Sequence, residues 1–227
     1  MPEQALLEAL GQQAHENELL TELLKLQGDS LSKIDLDKQI EILNTVLEKK
    51  TYFDITRESI EAIQAAPSVL LNAQQRQQLR NINKRLLMRA SKYTAGVECG
   101  ECYTLDMKLL KDSVRGGEVS RVKLPDYDWP YISIHNHPDG LTFSVGDINM
   151  MLKRPNLKIA IAVGNNGRIY AMEKTAQLDV AGAKALLQEL KMKYPRYIED
   201  YWQHTELIGE FLEGAKQYGL YYYTGEN

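Results

Sequence analysis

Cysteine is scarce in this sequence, with two residues among 227. Cys99 and Cys102 form a single Cys-x-x-Cys pair, which could be half of a zinc knuckle or a redox pair. A zinc site made of four cysteines would need a second pair, and the sequence has none. We therefore interpret both residues as small, buried strand residues.

Long apolar runs are also missing, since no segment approaches the eighteen residues typical of a membrane span. The first residues, Met1 to Gln4, lack the pattern of a signal peptide, so we expect a cytoplasmic protein without a membrane partner. Positive charge is not in excess either, because the net charge is -4. Nucleic acid is therefore an unlikely main partner, since its binding needs a positive surface.

The overall composition, 44% hydrophobic and 26% charged residues, is typical of an ordinary globular protein. The first ninety residues show the apolar periodicity of helices. Helices are predicted at Ala5–Leu26, about Asp37–Lys49, from Thr56 to before Pro67, and about Ala73–Ser91. Two further helices are predicted, one ending at Pro195 and one ending near Gly219. The tyrosine-rich tail after Gly219 could dock on the body or on a partner.

Between the helical regions the pattern changes to short strands. They are predicted at Glu101–Met107, at Glu118–Leu124 after a Gly116–Gly117 turn, and at Tyr131–His135, Leu157–Val163 and Arg168–Lys174. Gly164-Asn165-Asn166-Gly167 predicts a hairpin turn, because Asn and Gly accept positive φ angles. Residues 157–163 are almost all apolar, so we expect a central strand there.

One short stretch, ISIHNHPDGLTFSVGDI from residue 132, brings together residues that could bind a metal. His135 and His137 lie two apart at the end of a predicted strand, so both side chains project from one face. A turn follows, and Ser144 opens a short helix that could bring Asp147 back beside the histidines. Two imidazoles and a carboxylate are three ligands for Zn²⁺, with a fourth position open to water. The alternative is a capping box, in which Ser144 and Asp147 only cap the helix.

His135-Asn136-His137-Pro138 with Ser144 and Asp147 resembles the JAMM (JAB, MPN-plus) metalloproteases, in particular their bacterial and phage RadC-like branch. The resemblance covers roughly residues 85 to 175. It implies an α+β fold of the cytidine deaminase-like type, an α/β/α core with a mixed sheet flanked by helices. It also implies that His135, His137 and Asp147 hold zinc and that Ser144 stabilises an oxyanion. Glu98 would act as general base on the zinc-bound water.

Two departures from the family pattern affect the expected substrate groove more than the metal. Asn136 replaces the Ser or Thr that is usual in deubiquitinating members. The segment from Pro138 to Phe143 is one residue shorter than usual.

Two glutamates are candidates for the general base. Glu98 and Glu101 are three residues apart, so on a strand they would point to opposite faces and only one could face the metal. The Gly96-Val97-Glu98 entry resembles the family's strand opening and favours Glu98, with Glu101 as the alternative. Cys99 directly follows Glu98, which leaves an accessory role near the metal conceivable.

The predicted organisation is a helical N-terminal region (1–72), a JAMM-like domain (73–176) and a helical C-terminal extension (177–227). The predicted function is that of a zinc-dependent metallopeptidase or isopeptidase acting on a protein or peptide. The alternative is a RadC-like, non-catalytic binding or assembly module of a phage or mobile element. Nucleic-acid processing is a weaker third possibility, and the oligomeric state is open.

A row of cations on the fourth predicted helix bears on that third possibility. The spacing of Arg76, Arg80 and Lys84 places them on one helix face. Further cations follow at Arg85, Arg89 and Lys92. We interpret the row as a solvated face opposite an acidic helix. The acidic residues would be Glu199, Asp200, Glu206, Glu210 and Glu213.

Overall fold

A computed structural model describes residues 52–94, 96–119, 121–198 and 200–225. Among the described residues, 52–197 and 203–225 belong to one compact unit. The helices predicted at Ala5–Leu26 and Asp37–Lys49 lie outside the described residues. None of the helices described is both long and apolar enough to cross a lipid bilayer.

The described chain alternates between helices and strands. The helices are α1 (Arg57–Ala62), α2 (Ala73–Ala90), α3 (Val145–Lys153), α4 (Val180–Lys193) and α5 (Tyr201–Gly214), with a 3₁₀ turn at Ala215–Tyr218. The strands are β1 (Val97–Thr104), β2 (Leu109–Val119), β3 (Tyr131–His137), β4 (Leu157–Gly164), β5 (Ile169–Lys174) and β6 (Leu220–Thr224).

The six strands form one mixed sheet in the order β2-β1-β3-β4-β5-β6. The β3 and β4 strands are parallel, and the other neighbouring pairs are antiparallel. The apolar segment 157–163 is a central strand beside the histidine strand, as predicted. The coarse α+β class is therefore confirmed, and α3 supplies the crossover that a parallel pair requires.

Helices cover both faces of the sheet, and each face has its own apolar core. On one face, α2 packs against strand residues such as Ile134 and Ile161. On the other face, α3, α4 and α5 contribute Met151, Leu187 and Phe211. Burial on both faces explains why β4 is almost all apolar instead of alternating with polar residues.

The predicted positions of the first two strands are wrong. β1 begins at Val97 instead of Glu101, and Gly116 and Gly117 lie inside β2 instead of forming a turn. A Cβ atom on Gly117 would lie 2.4 Å from the carbonyl oxygen of Arg121. The pairing of β1 with β2 is also interrupted by register shifts. These glycines therefore allow close backbone approach at a bulged edge, which the sequence pattern alone does not distinguish from a turn.

The tyrosine-rich tail docks on the body of the protein. Residues 220–224 form β6, which pairs antiparallel with β5 and ends the sheet. The preceding helix ends at Gly214, earlier than predicted, and Gly219 has a φ of 79° that turns the chain into the strand. The C-terminal region thus contributes a strand in addition to its helices.

The cations of α2 have partners other than the acidic helix that the sequence suggested. Arg80 donates to the carbonyl oxygen of Ile63 at 2.7 Å, and Arg89 binds Glu101 at 2.5 Å. In α5, Glu210 binds Lys193 of α4 at 2.6 Å. These residues therefore bind neighbours on their own side of the sheet.

Cys99 and Cys102 are buried free thiols, as expected for small strand residues. Cys99 belongs to the core beneath α2, whereas Cys102 belongs to the core on the opposite face. Their side chains therefore do not form half of a zinc knuckle.

Candidate metal centre

β3 carries both histidines into the layer between the sheet and α3. His135 and His137 are two residues apart, so their rings project from the same face. The neighbouring strands place small residues beside them: Gly100 lies opposite His135, while Ala162 and Gly164 are the β4 partners of His135 and His137. Small neighbours leave room for two imidazoles on a central, rigid part of the sheet.

The helix that follows β3 holds the third residue of the cluster. Ser144 is the N-cap of α3, and its hydroxyl oxygen accepts from the Asp147 amide at 3.2 Å. The Asp147 carboxylate in turn accepts from the Ser144 amide at 2.8 Å. The capping box predicted as an alternative is therefore present. It is compatible with a metal site, because the same carboxylate also faces the histidines.

His135, His137 and Asp147 converge to contact distance. The Nε2 atoms of the two histidines are 2.8 Å apart. Asp147 Oδ1 lies 3.3 Å from His135 Nε2, and Asp147 Oδ2 lies 3.5 Å from His137 Nε2. Among the residues that the structure describes, these three form the group of His, Cys, Asp and Glu side chains that could hold a metal ion.

The electrostatics of this cluster favour a bound cation. Burial disfavours the charged form of His137, but hydrogen bonding and attraction to Asp147 outweigh it, and the pKa of His137 is raised to about 9. Burial opposes ionisation of Asp147 as well, yet the two histidines hold the pKa of its carboxyl well below the usual range. The proton on His137 is thus stabilised by the Asp147 carboxylate, and a metal ion could take its place.

The spacing and the tautomer of the ligands both fit a divalent ion. Two ligands of a tetrahedral zinc lie roughly 3.3 Å apart when each metal–ligand bond is about 2.05 Å. The observed separations bracket that value, so a shift of about half an ångström between the imidazoles would suffice. His137 Nδ1 lies 2.9 Å from the carbonyl oxygen of Leu141, to which it can only donate. In the neutral ring this bond leaves Nε2 free to bind a metal.

Glu98, on β1, lies on the same side of the sheet as the histidine cluster of β3. Burial raises the pKa of its carboxyl, His135 and His137 oppose this rise, and Asp147 adds to it. Glu101 lies on the opposite face, where it binds Arg89 and accepts from the Tyr103 hydroxyl at 2.7 Å. The predicted separation of the two glutamates onto opposite faces is therefore observed.

The Ser144 hydroxyl is turned toward the third ligand. It donates to Asp147 Oδ2 at 2.7 Å, so it orients that carboxylate in addition to capping α3. The structure thus places Ser144 in contact with the cluster.

Two buried asparagines behind the histidines were not predicted from the sequence. The family pattern marks Asn136 only as a departure, and the turn signal marks Asn165 only as a residue that accepts a positive φ. In the turn it is Gly167 that has positive φ, at 88°. The Asn165 side chain is instead buried and accepts from Asn136 at 2.9 Å. Their signal in the sequence was weak, because asparagine is common in turns.

No protein-family model matches this chain, and neither a curated protein nor a solved structure is significantly similar to it.

Proposed function

We propose that this protein is a zinc-dependent metallopeptidase or isopeptidase related to the RadC-like branch of the JAMM metalloproteases. The observation that carries the proposal is the convergence of His135, His137 and Asp147 to within 4.8 Å, in a His-x-His-Pro and Ser-x-x-Asp arrangement. The cluster is built on a central strand and on the first turn of a helix, both of which are rigid elements. A geometry held in this way suits a catalytic centre better than a loop would.

Zinc is the ion that this donor set suits best. Imidazole nitrogens favour transition metals over magnesium or calcium, and two histidines with one carboxylate are a known ligand set of catalytic zinc. When bound by three protein ligands, zinc lowers the pKa of a water molecule to about 7 and so supplies a nucleophile at neutral pH. His137 is prepared for this role by its bond to the Leu141 carbonyl oxygen.

Glu98 would act as the proton shuttle. Peptide hydrolysis needs a group outside the ligand set that accepts a proton from the attacking water and passes it to the leaving amine. The burial that raises the pKa of Glu98 brings the carboxyl closer to the range in which it can both accept and release a proton. Glu101 is poorly placed for this role because its carboxylate is bound to Arg89.

Ser144 would have two roles. Its hydroxyl orients Asp147, and it lies close enough to the ligands to donate to an oxygen on which charge develops. Such a donor typically contributes about 3 to 4 kcal/mol where water is excluded. To donate to substrate, the hydroxyl would have to leave the Asp147 oxygen.

The proposal is tested by replacing Glu98 with Gln, with Glu101→Gln as the matched control. Zinc content is measured together with cleavage of internally quenched peptides. One series has the scissile bond in the main chain, and the other has it at a lysine Nε. We expect both variants to bind zinc, and only Glu98→Gln to lose cleavage, by a factor of 100 or more, in line with the roughly 10²–10⁴-fold contribution of a general base.

Two results would count against the proposal. Full cleavage by Glu98→Gln would exclude Glu98 as the proton shuttle. A wild-type protein that binds zinc but cleaves neither peptide series would favour the alternative, a non-catalytic binding or assembly module.

A further inference from the structure

On the side of β3 that faces away from the metal cluster, the side chain of Asn136 occupies a fully buried position. Asn136 lies between His135 and His137 in the chain, so its side chain points to the opposite face of the strand. Its Oδ1 atom accepts from the Cys99 amide at 2.6 Å, and its Nδ2 atom lies 3.4 Å from the Val97 carbonyl oxygen. Asn136 therefore contacts the backbone on both sides of Glu98.

These contacts occur where the pairing of the two strands ends. The register between β1 and β3 runs from Thr104 opposite Tyr131 to Gly100 opposite His135. Beyond Gly100 the Asn136 side chain takes the place of the backbone ladder. On the β3 side of this strand, the Asn136 side chain thus sets the position of Glu98 relative to the histidines, while β2 pairs with the other edge at Val97 and Cys99.

The orientation of the Asn136 amide is fixed by its neighbours. The backbone amide of Cys99 can only donate, so the side-chain atom of Asn136 that it contacts must be the oxygen, Oδ1. The other side-chain atom, Nδ2, then points toward Asn165 Oδ1 at 2.9 Å. Asn165 in turn donates from its side-chain Nδ2 to the Phe53 carbonyl oxygen at 3.0 Å. The backbone amide of Asn165 donates to the His137 carbonyl oxygen, also at 3.0 Å. The two asparagines form a buried chain of hydrogen bonds behind the cluster.

We propose that Asn136 is a positioning residue, which holds Glu98 at the distance from His135 and His137 that proton transfer requires. The inference rests on the proposed function, because it assigns Glu98 its role there. Asn165 fixes the orientation of Asn136 and ties it to the segment at Phe53, and its hydrogen bonds go to Asn136, Phe53 and His137 and not to the residues that flank Glu98.

The test uses the full chain loaded with Co²⁺, a spectroscopic substitute for Zn²⁺, in the wild type and in Glu98→Gln, Asn136→Asp, Asn136→Ser and Asn165→Asp. Asn136→Asp keeps an acceptor for the Cys99 amide but loses both donor contacts. Asn136→Ser removes the contacts of the Asn136 side chain without adding charge. It replaces Asn136→Asp in the test if the aspartate variant does not fold. Asn165→Asp is the matched control for Asn136→Asp, because it adds the same charge, keeps an oxygen for Asn136 Nδ2 and loses the donor to Phe53.

Two quantities are measured: the Co²⁺ dissociation constant and the visible absorption as a function of pH. We expect Glu98→Gln to move the midpoint of the absorption titration, and Asn136→Ser, which adds no charge, to move it in the same direction. Their dissociation constants should stay within about threefold of the wild type, since the ligands themselves are not altered. Asn165→Asp should move the midpoint less than Asn136→Asp does, because both add one carboxylate but only the latter alters a contact with the residues that flank Glu98.

The possible failures are distinguishable. If Glu98→Gln moves the midpoint and Asn136→Ser does not, the positioning role is overturned while the proton shuttle stands. A shift in Asn165→Asp equal to that in Asn136→Asp, or a tenfold loss of Co²⁺ affinity in the Asn136 variants, would show a general structural role instead. No shift in Glu98→Gln would overturn the assignment of Glu98 and the inference with it.

Discussion

At the scale of single residues, Asp147 determines the charge state of the cluster. Its carboxylate lies within 3.5 Å of both imidazoles and receives hydrogen bonds from the amide and hydroxyl of Ser144. The His137 imidazole stays protonated at neutral pH because this carboxylate raises its pKa to about 9. A metal ion must therefore displace a proton before it can bind.

This exchange predicts how metal affinity depends on pH. The raised pKa means that the proton on His137 is bound below about pH 9, so the apparent affinity for zinc should fall as the pH is lowered. One displaced proton corresponds to roughly a tenfold loss per pH unit, or about 100-fold between pH 8 and pH 6. Competition with a chromophoric chelator at both pH values measures the change. Calorimetry in two buffers with different ionisation enthalpies counts the released protons, and a value near zero would contradict the prediction.

Residue types predicted the cluster of two histidines and an aspartate but not the residues that support it. His135, His137, Ser144 and Asp147 fall within one short window, where strand alternation and helix capping are local rules. Asn165 meets Asn136 across 29 positions of sequence, and its amide reaches Phe53 across 112. The local periodicity of the sequence cannot predict such long-range contacts, because they depend on the order of strands in the sheet.

At the scale of elements, β3 and α3 together form the cluster, and the cap of α3 connects their positions. The Ser144 hydroxyl accepts from the first turn of the helix and donates to the carboxylate that faces the histidines. The stability of the helix start and the orientation of the ligand are thus coupled through one side chain. Sequence reasoning treated the cap and the metal site as alternatives, whereas the structure contains the cap and a geometry that could hold a metal.

Replacing Ser144 by Ala should therefore lower both stability and metal affinity. Loss of the cap costs about 1 kcal/mol of the free energy of unfolding. The matched control is Thr56→Ala, which removes the N-cap of α1, where the Thr56 hydroxyl accepts from the Ser59 amide at 3.1 Å. We expect both variants to lose similar stability in chemical denaturation. Only Ser144→Ala should bind zinc more weakly. Unchanged zinc affinity in that variant would show that the Ser144 hydroxyl caps α3 without affecting metal binding by Asp147.

At the scale of the whole molecule, the sheet was predicted at its centre and missed at its edges. β4 is almost all apolar, and the hairpin into β5 has Gly167 where positive φ is needed, so the sequence pattern predicts both. β2 was misplaced because Gly116 and Gly117 serve a bulged edge instead of a turn. The role of β6 was left open, because its aromatic residues would suit either a sheet edge or a partner surface.

The contribution of β6 and the C-terminal helices leads to a prediction about fragments. The chain from residue 52 to 227 should fold and bind zinc, whereas residues 73–176, the predicted JAMM-like domain, should not fold alone. The shorter fragment would lose large apolar side chains from the core over the metal cluster, namely Leu187, Leu190, Leu207, Ile208, Phe211, Leu212 and Leu220. Burying one such side chain contributes roughly 1.5–3 kcal/mol, and domains are stable by only about 5–15 kcal/mol in total. The two fragments are compared by circular dichroism, thermal unfolding and zinc content. A 73–176 fragment that unfolds cooperatively and binds zinc would contradict the prediction, because it would show that the smaller core is sufficient for folding.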